Sequence, residues 1–163
     1  MAAKMRVLVL CVHNSARSQM TEGLIRHYYG EKIEVYSAGS QPTSVHPYAV
    51  KVMGEIGIDI SHHHSKHVSE FSGMVFDYVL TVCGHSSEPG EQCPFFPGGK
   101  KYIHRSFEDP DMEGLSEEEK LSRFRKVRDE IRAWVCELFG TSLEASSHPD
   151  TNKNECCKWQ DCE

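Results

Sequence analysis

Apolar residues in this chain fall into short unbroken runs and into helical spacings, and the two kinds alternate. Residues 5–10, MRVLVL, are apolar at nearly every position. Such a run suits a strand buried on both faces of a parallel sheet. Met20, Leu24 and Tyr28 then recur at four-residue steps and predict a helix over 18–29, stopped at Gly30. Residues 32–39, KIEVYSAG, read as a second strand. A second helix is predicted over 47–56, opened by Pro47 and closed by Gly57. Residues 77–83, DYVLTVC, form a third strand ending on a cysteine, and 100–105, KKYIHR, a weaker fourth. The last helix begins with Ser116 and Glu119 in capping-box spacing. Leu121, Phe124, Val127, Ile131, Val135 and Leu138 line one face of it, and Gly140 ends it.

Strands alternating with helices predict an α/β fold: a four-stranded, mainly parallel sheet flanked by helices. At 163 residues the chain has the size of one domain. Residues 1–140 read as that domain. Residues 141–163 are polar, without clear period, and carry Cys156, Cys157 and Cys162; they read as an appended tail.

Charge and composition narrow the chemistry. The net charge is −6, which argues against nucleic acid as a partner, since binding phosphate backbones needs a basic face. No apolar run approaches the roughly 20 residues of a membrane span, and residues 1–14 lack a signal-peptide pattern. The expected setting is cytoplasmic. Seven cysteines are many, and in a reducing compartment static disulfides are not expected. Catalytic, redox or metal-binding roles rank above a disulfide framework.

Cys11 ends the first strand and a helix follows six residues later, at Arg17 and Ser18. In a parallel α/β sheet, ligands bind beyond the carboxyl ends of the strands. The loop Val12, His13, Asn14, Ser15, Ala16, Arg17 leads into a helix N-terminus, whose free N–H groups and dipole attract an anion. Arg17 adds a planar guanidinium able to hold two oxygens of a tetrahedral oxyanion. A positive surrounding of this kind also favours a thiolate, and Ser18 is placed to hydrogen-bond the sulfur. Loop and nucleophile together predict an enzyme that attacks an oxyanion through Cys11.

The stretch LCVHNSARSQMTEG, with YSAG at 36–39 and FEDP at 107–110, resembles the anion loop and partner segments of the low-molecular-weight tyrosine phosphatase fold. More closely it resembles the thioredoxin-coupled arsenate reductases of bacteria built on that fold, over about residues 5–139. The resemblance implies that Asp109 is the general acid, held on a loop by Pro110. It also implies a cascade. Cys11 attacks arsenate, Cys83 attacks Cys11 and releases arsenite, Cys93 attacks Cys83, and thioredoxin reduces the resulting Cys83–Cys93 disulfide. Ten residues, fully extended, span roughly 30 Å, whereas a disulfide needs Cα atoms within about 7 Å. The loop 84–92, GHSSEPGEQ, must therefore fold back or move. No metal or organic cofactor is called for, and the protein is expected to work as a monomer.

Two alternatives stand beside this reading. One is a low-molecular-weight tyrosine phosphatase, against which Ala16 and Asp111 argue: that family usually has a cysteine before the loop arginine and an aromatic after Asp-Pro. The other is a non-enzymatic oxyanion or arsenite binder, which has no need of Asp109. Some members of the resembled group bind potassium through an asparagine, a glutamate, a serine and an aspartate. Asn14, Glu22 and Ser37 match the first three, but Lys66 falls at the fourth, so no potassium site is expected and the ammonium stands in for the ion. The histidine-rich run 61–67, SHHHSKH, is expected to be a solvated loop, and Cys136 a small buried apolar side chain.

Overall fold

The computed structural model describes residues 4–83 and 94–140. Four strands, β1 (Met5–Cys11), β2 (Ile33–Gly39), β3 (Phe76–Thr81) and β4 (Gly99–His104), form one parallel sheet in the order β2-β1-β3-β4. The sheet is parallel throughout. The α-helices are α1 (Arg17–Tyr29), α2 (Pro47–Glu55) and α3 (Glu117–Gly140), and a 3-10 turn spans Val68–Phe71. The third strand stops at Thr81, two residues short of Cys83, although Val82 N–H still bonds the Leu10 carbonyl.

Alternation along the strands divides the core. Val7, Val9, Val35 and Leu80 face one side and pack with Met20, Leu24 and Ile25 of α1, Val52 and Met53 of α2, and Phe124, Ile131 and Val135 of α3. Leu8, Leu10, Ala38 and Val79 face the other side, where Phe71, Phe76 and Phe96 cover them. The three α-helices therefore lie on one face. The second face is closed among the described residues by the 3-10 turn and the segment after 94. This double burial explains why the central strand β1 is apolar almost throughout.

Two glycines fix the turns that matter. Gly57 has φ +80, a left-handed conformation that stops the chain continuing α2. Gly39, at the end of β2, lies so close to the loop after β1 that a Cβ there would stand 2.4 Å from the Val12 carbonyl oxygen and 3.0 Å from Asn14 N. The helix α3 starts with the expected reciprocal cap: Ser116 N–H donates to Glu119 Oε2 (3.1 Å) and Glu119 N–H to Ser116 Oγ (3.2 Å). Among the described residues no helix is long and apolar enough to cross a membrane.

Candidate functional site

The loop 12–16 between β1 and α1 turns its carbonyls away from its own centre. Val12 O accepts from Gln41 N, His13 O from Thr43 N, Ser15 O from His46 N and Ala16 O from Met20 N. Asn14 O accepts from Gln19 Nε2 and Ser65 Oγ. In a trans peptide the N–H points opposite to the preceding carbonyl. Outward carbonyls on residues 12–16 therefore direct the N–H groups of residues 13–17 inward. Helix α1 reinforces this. Its N-cap is Ala16, which offers no side-chain cap, and its first turn carries no acid. The helix N-terminus is left to an external anion.

Asn14 is the pivot of the loop. Its φ of +49 is left-handed, a conformation asparagine tolerates better than most residues. Its side chain, fully buried, donates from Nδ2 to Ser18 Oγ (2.8 Å), while Oδ1 accepts from Gln19 Nε2 and Lys66 N–H. Cys11 is buried with a free thiol at the base of this loop.

Arg17 joins the anion loop to the acid loop. Its Nη1 donates to Phe107 O at 3.0 Å, and Nη2 lies 3.9 Å from Asp109 Oδ2. The Arg17 side chain is only 12% exposed while that of Asp109 is 57% exposed, so the arginine is held from within and the acid stands at the rim. Asp109 Oδ1 accepts the Asp111 N–H, a local turn that sets the carboxylate. Asp111, at the position where the phosphatase family usually has an aromatic, directs its oxygens to His46 and Lys120.

Cys83 lies on the same edge of the sheet as Cys11: its Sγ is 3.9 Å from the carbonyl oxygen of Leu10. Cys83 is disulfide-bonded, and Cys11, being free, is not its partner. Cys93 and the tail cysteines 156, 157 and 162 lie outside the described residues. Cys136 is buried as expected but is also disulfide-bonded, which corrects the reading of a plain apolar side chain. A period of helical spacing reports which face a thiol occupies but not what lies across from it.

Beneath the loop sits a buried polar cluster. Glu22 Oε2 lies 2.9 Å from His63 Nδ1 and 3.4 Å from Arg26 Nη1; Oε1 accepts from Ser37 Oγ at 3.3 Å and stands 3.9 Å from Lys66 Nζ. Burial pushes the Glu22 carboxyl up. The hydrogen bond from His63 and the charges of Lys66, Arg26 and His63 together outweigh it and hold the group below its ordinary value of 4.5. His63 also meets Gln19 Oε1 at 3.0 Å, and its side chain is only 4% exposed. The expectation of a solvated histidine run thus fails at His63, because the segment 59–67 folds over α1 and its end pairs with Gly39. His63 and Gln19 are the residues that sequence reasoning missed. Their signal was weak: one histidine among four in a row and one glutamine on a mostly apolar helix face. Among the described residues no group of three or more histidines, cysteines or acids is placed to hold a metal ion.

A parallel sheet whose first strand runs into a Cys-x5-Arg loop, with inward amides at a helix N-terminus, defines a cysteine-based oxyanion site. The chain belongs to the low molecular weight phosphotyrosine protein phosphatase family, whose model matches residues 6–148. Curated relatives within that family at about 40% identity are arsenate reductases. The chain is 44% identical over 125 residues to the arsenate reductase of Halalkalibacterium halodurans, covering 77% of this chain and 88% of the relative. Among solved structures, an arsenate reductase in the phosphate binding state superposes with a TM-score of 0.69 at 33% identity, over 84% of this chain and 98% of the other. A thioredoxin-dependent arsenate reductase from Corynebacterium glutamicum superposes with a TM-score of 0.65 at 30% identity, over 90% and 66%.

Proposed function

We propose that this protein reduces arsenate to arsenite, with Cys11 as nucleophile and a thiol cascade through Cys83 and Cys93 that ends on thioredoxin. The observation that carries the reading is the pairing of an inward-amide loop at Cys11 with a second cysteine, Cys83, at the same sheet edge. A phosphatase has no use for that second sulfur.

Arsenate binds with its oxygens on the N–H groups of residues 13–17 and on Arg17. The Cys11 thiolate attacks arsenic and displaces one oxygen. That oxygen is a hydroxyl of the arsenate; Asp109 gives it a second proton, and it leaves as water. The Cys83 thiolate then attacks Cys11 Sγ. The sulfur–arsenic bond breaks, its electron pair stays on arsenic, arsenic(V) becomes arsenic(III), and arsenite departs. A Cys11–Cys83 disulfide remains. Cys93 attacks Cys83 Sγ and frees the Cys11 thiolate, and the dithiol of thioredoxin supplies the two electrons that reopen Cys83–Cys93. Ser18 donates its hydroxyl proton to the Cys11 sulfur, its oxygen already accepting from Asn14. Lys66 places a fixed positive charge beside Glu22 where a monovalent cation would otherwise sit.

The test is NADPH oxidation with thioredoxin, thioredoxin reductase and the full chain. Consumption that depends on arsenate and disappears in Cys83→Ser supports the reading. Arsenate-independent rates, or full turnover in Cys83→Ser, overturn it.

A further inference from the structure

We infer that His46 is a positioning residue for the acid loop, acting through Asp111; this rests on the reading of Asp109 as the general acid. His46 stands where three parts of the site meet. Its backbone N–H bonds Ser15 O in the anion loop (3.0 Å). Its ring packs 4.7 Å from Phe124 of α3 and 5.3 Å from Tyr48. It is also the N-cap of α2, with Nδ1 accepting the Tyr48 N–H at 3.1 Å.

That cap decides the direction of the other ring nitrogen. A nitrogen that accepts an N–H must carry a lone pair, so the ring proton sits on Nε2. Nε2 is 3.2 Å from Asp111 Oδ2 and donates to it. The second oxygen of Asp111 faces Lys120 Nζ of α3 at 3.4 Å. With both oxygens anchored, Asp111 presents its backbone N–H to Asp109 Oδ1 (3.0 Å), which turns Oδ2 toward Arg17. A continuous chain of contacts thus runs from the cap of α2 to the carboxylate that must meet the departing oxygen. Neither His46 nor Asp111 touches the reacting atoms. Their effect is to fix the proton donor in place, and a displacement of the donor by about 1 Å is enough to cost roughly 100-fold in rate.

The experiment is a single turnover: fully reduced full-length protein is mixed with arsenate and arsenite is measured. The rate at saturation and the half-saturating arsenate concentration are read separately. His46→Asn keeps the cap, since asparagine is a good N-cap, but is too short to reach Asp111. Asp111→Ala removes the anchor, and Asp111→Asn keeps an oxygen for Nε2. We expect His46→Asn and Asp111→Ala each to slow the saturated rate roughly tenfold, with half-saturation changed by less than about twofold. The double variant should be no slower than either single one, because both cut the same chain of contacts. Asp111→Asn should restore most of the rate. A wild-type rate in His46→Asn, or additive losses in the double variant, overturns the inference. A change in half-saturation alone overturns it too. Asp109→Asn separates the two readings: if it is slow and His46→Asn is not, only the inference on His46 fails. If Asp109→Asn turns over normally, the acid assignment falls and the positioning role with it.

Discussion

At the scale of single residues, the site depends on geometry that near-equivalents do not reproduce. Lysine keeps the charge of Arg17 but not the planar fork that reaches Phe107 O and Asp109 together and that, in the function proposed above, also holds the oxyanion. Arg17→Lys should therefore lower the arsenate-dependent rate by roughly 100-fold, the scale of losing one preorganised oxyanion donor, with a thermal midpoint close to wild type. Glu22 belongs to the same scale. A carboxyl whose folded value is depressed adds stability above its unfolded value and loses that contribution as pH falls through the folded one. Thermal midpoints should thus drop as pH goes below about 4.5, the ordinary value of that group. In Glu22→Gln that acid limb should be flatter and the midpoint at neutral pH lower, because His63, Lys66 and Arg26 lose their shared anion. Equal acid limbs in the two proteins would show that other carboxylates set the profile.

At the scale of elements, each helix end is used differently. Helix α3 is closed in its own sequence, with the Ser116–Glu119 box and the acids Glu117, Glu118 and Glu119 at the positive end of its dipole. Ser116→Ala should cost about 1 kcal/mol in urea unfolding and leave turnover alone. Helix α1 has no side-chain cap at Ala16, and in the function proposed above its free N–H groups serve the substrate. Helix α2 is capped by a histidine whose far nitrogen reaches into the acid loop. Strand β2 ends on Gly39 because the anion loop runs within van der Waals reach of its backbone. In the function proposed above, these ends, more than the element interiors, carry the chemistry.

At the scale of the whole molecule, one helical layer supports both loops. Phe124 is fully buried in α3 and meets His46 and Tyr48 of the α2 end at 4.7 and 5.7 Å. Arg125 and Arg128 of α3 both bond Glu55 at the other end of α2. Phe124→Ala should cost about 3–5 kcal/mol by denaturant unfolding. Turnover at temperatures where the variant is still folded should also fall, because His46 loses the ring it rests on. A variant destabilised to this degree but with unchanged turnover would show that packing under the acid loop is not needed for its alignment.

Much of this was legible along the chain because it is local. β1, the anion loop and α1 are contiguous, so Cys11, Arg17 and the helix start could be read together from one stretch of sequence. Periodicity likewise located α3 and its buried face, since an amphipathic helix writes its core contacts every three or four residues. The tertiary structure decided what meets across distance: the Arg17 guanidinium beside Asp109, His63 against Glu22, His46 against Asp111. None of these pairs has a spacing that implies contact. A polar side chain carries no periodic signal for its partner, and only the closing of the parallel sheet and its helical layer brings such groups within bonding reach.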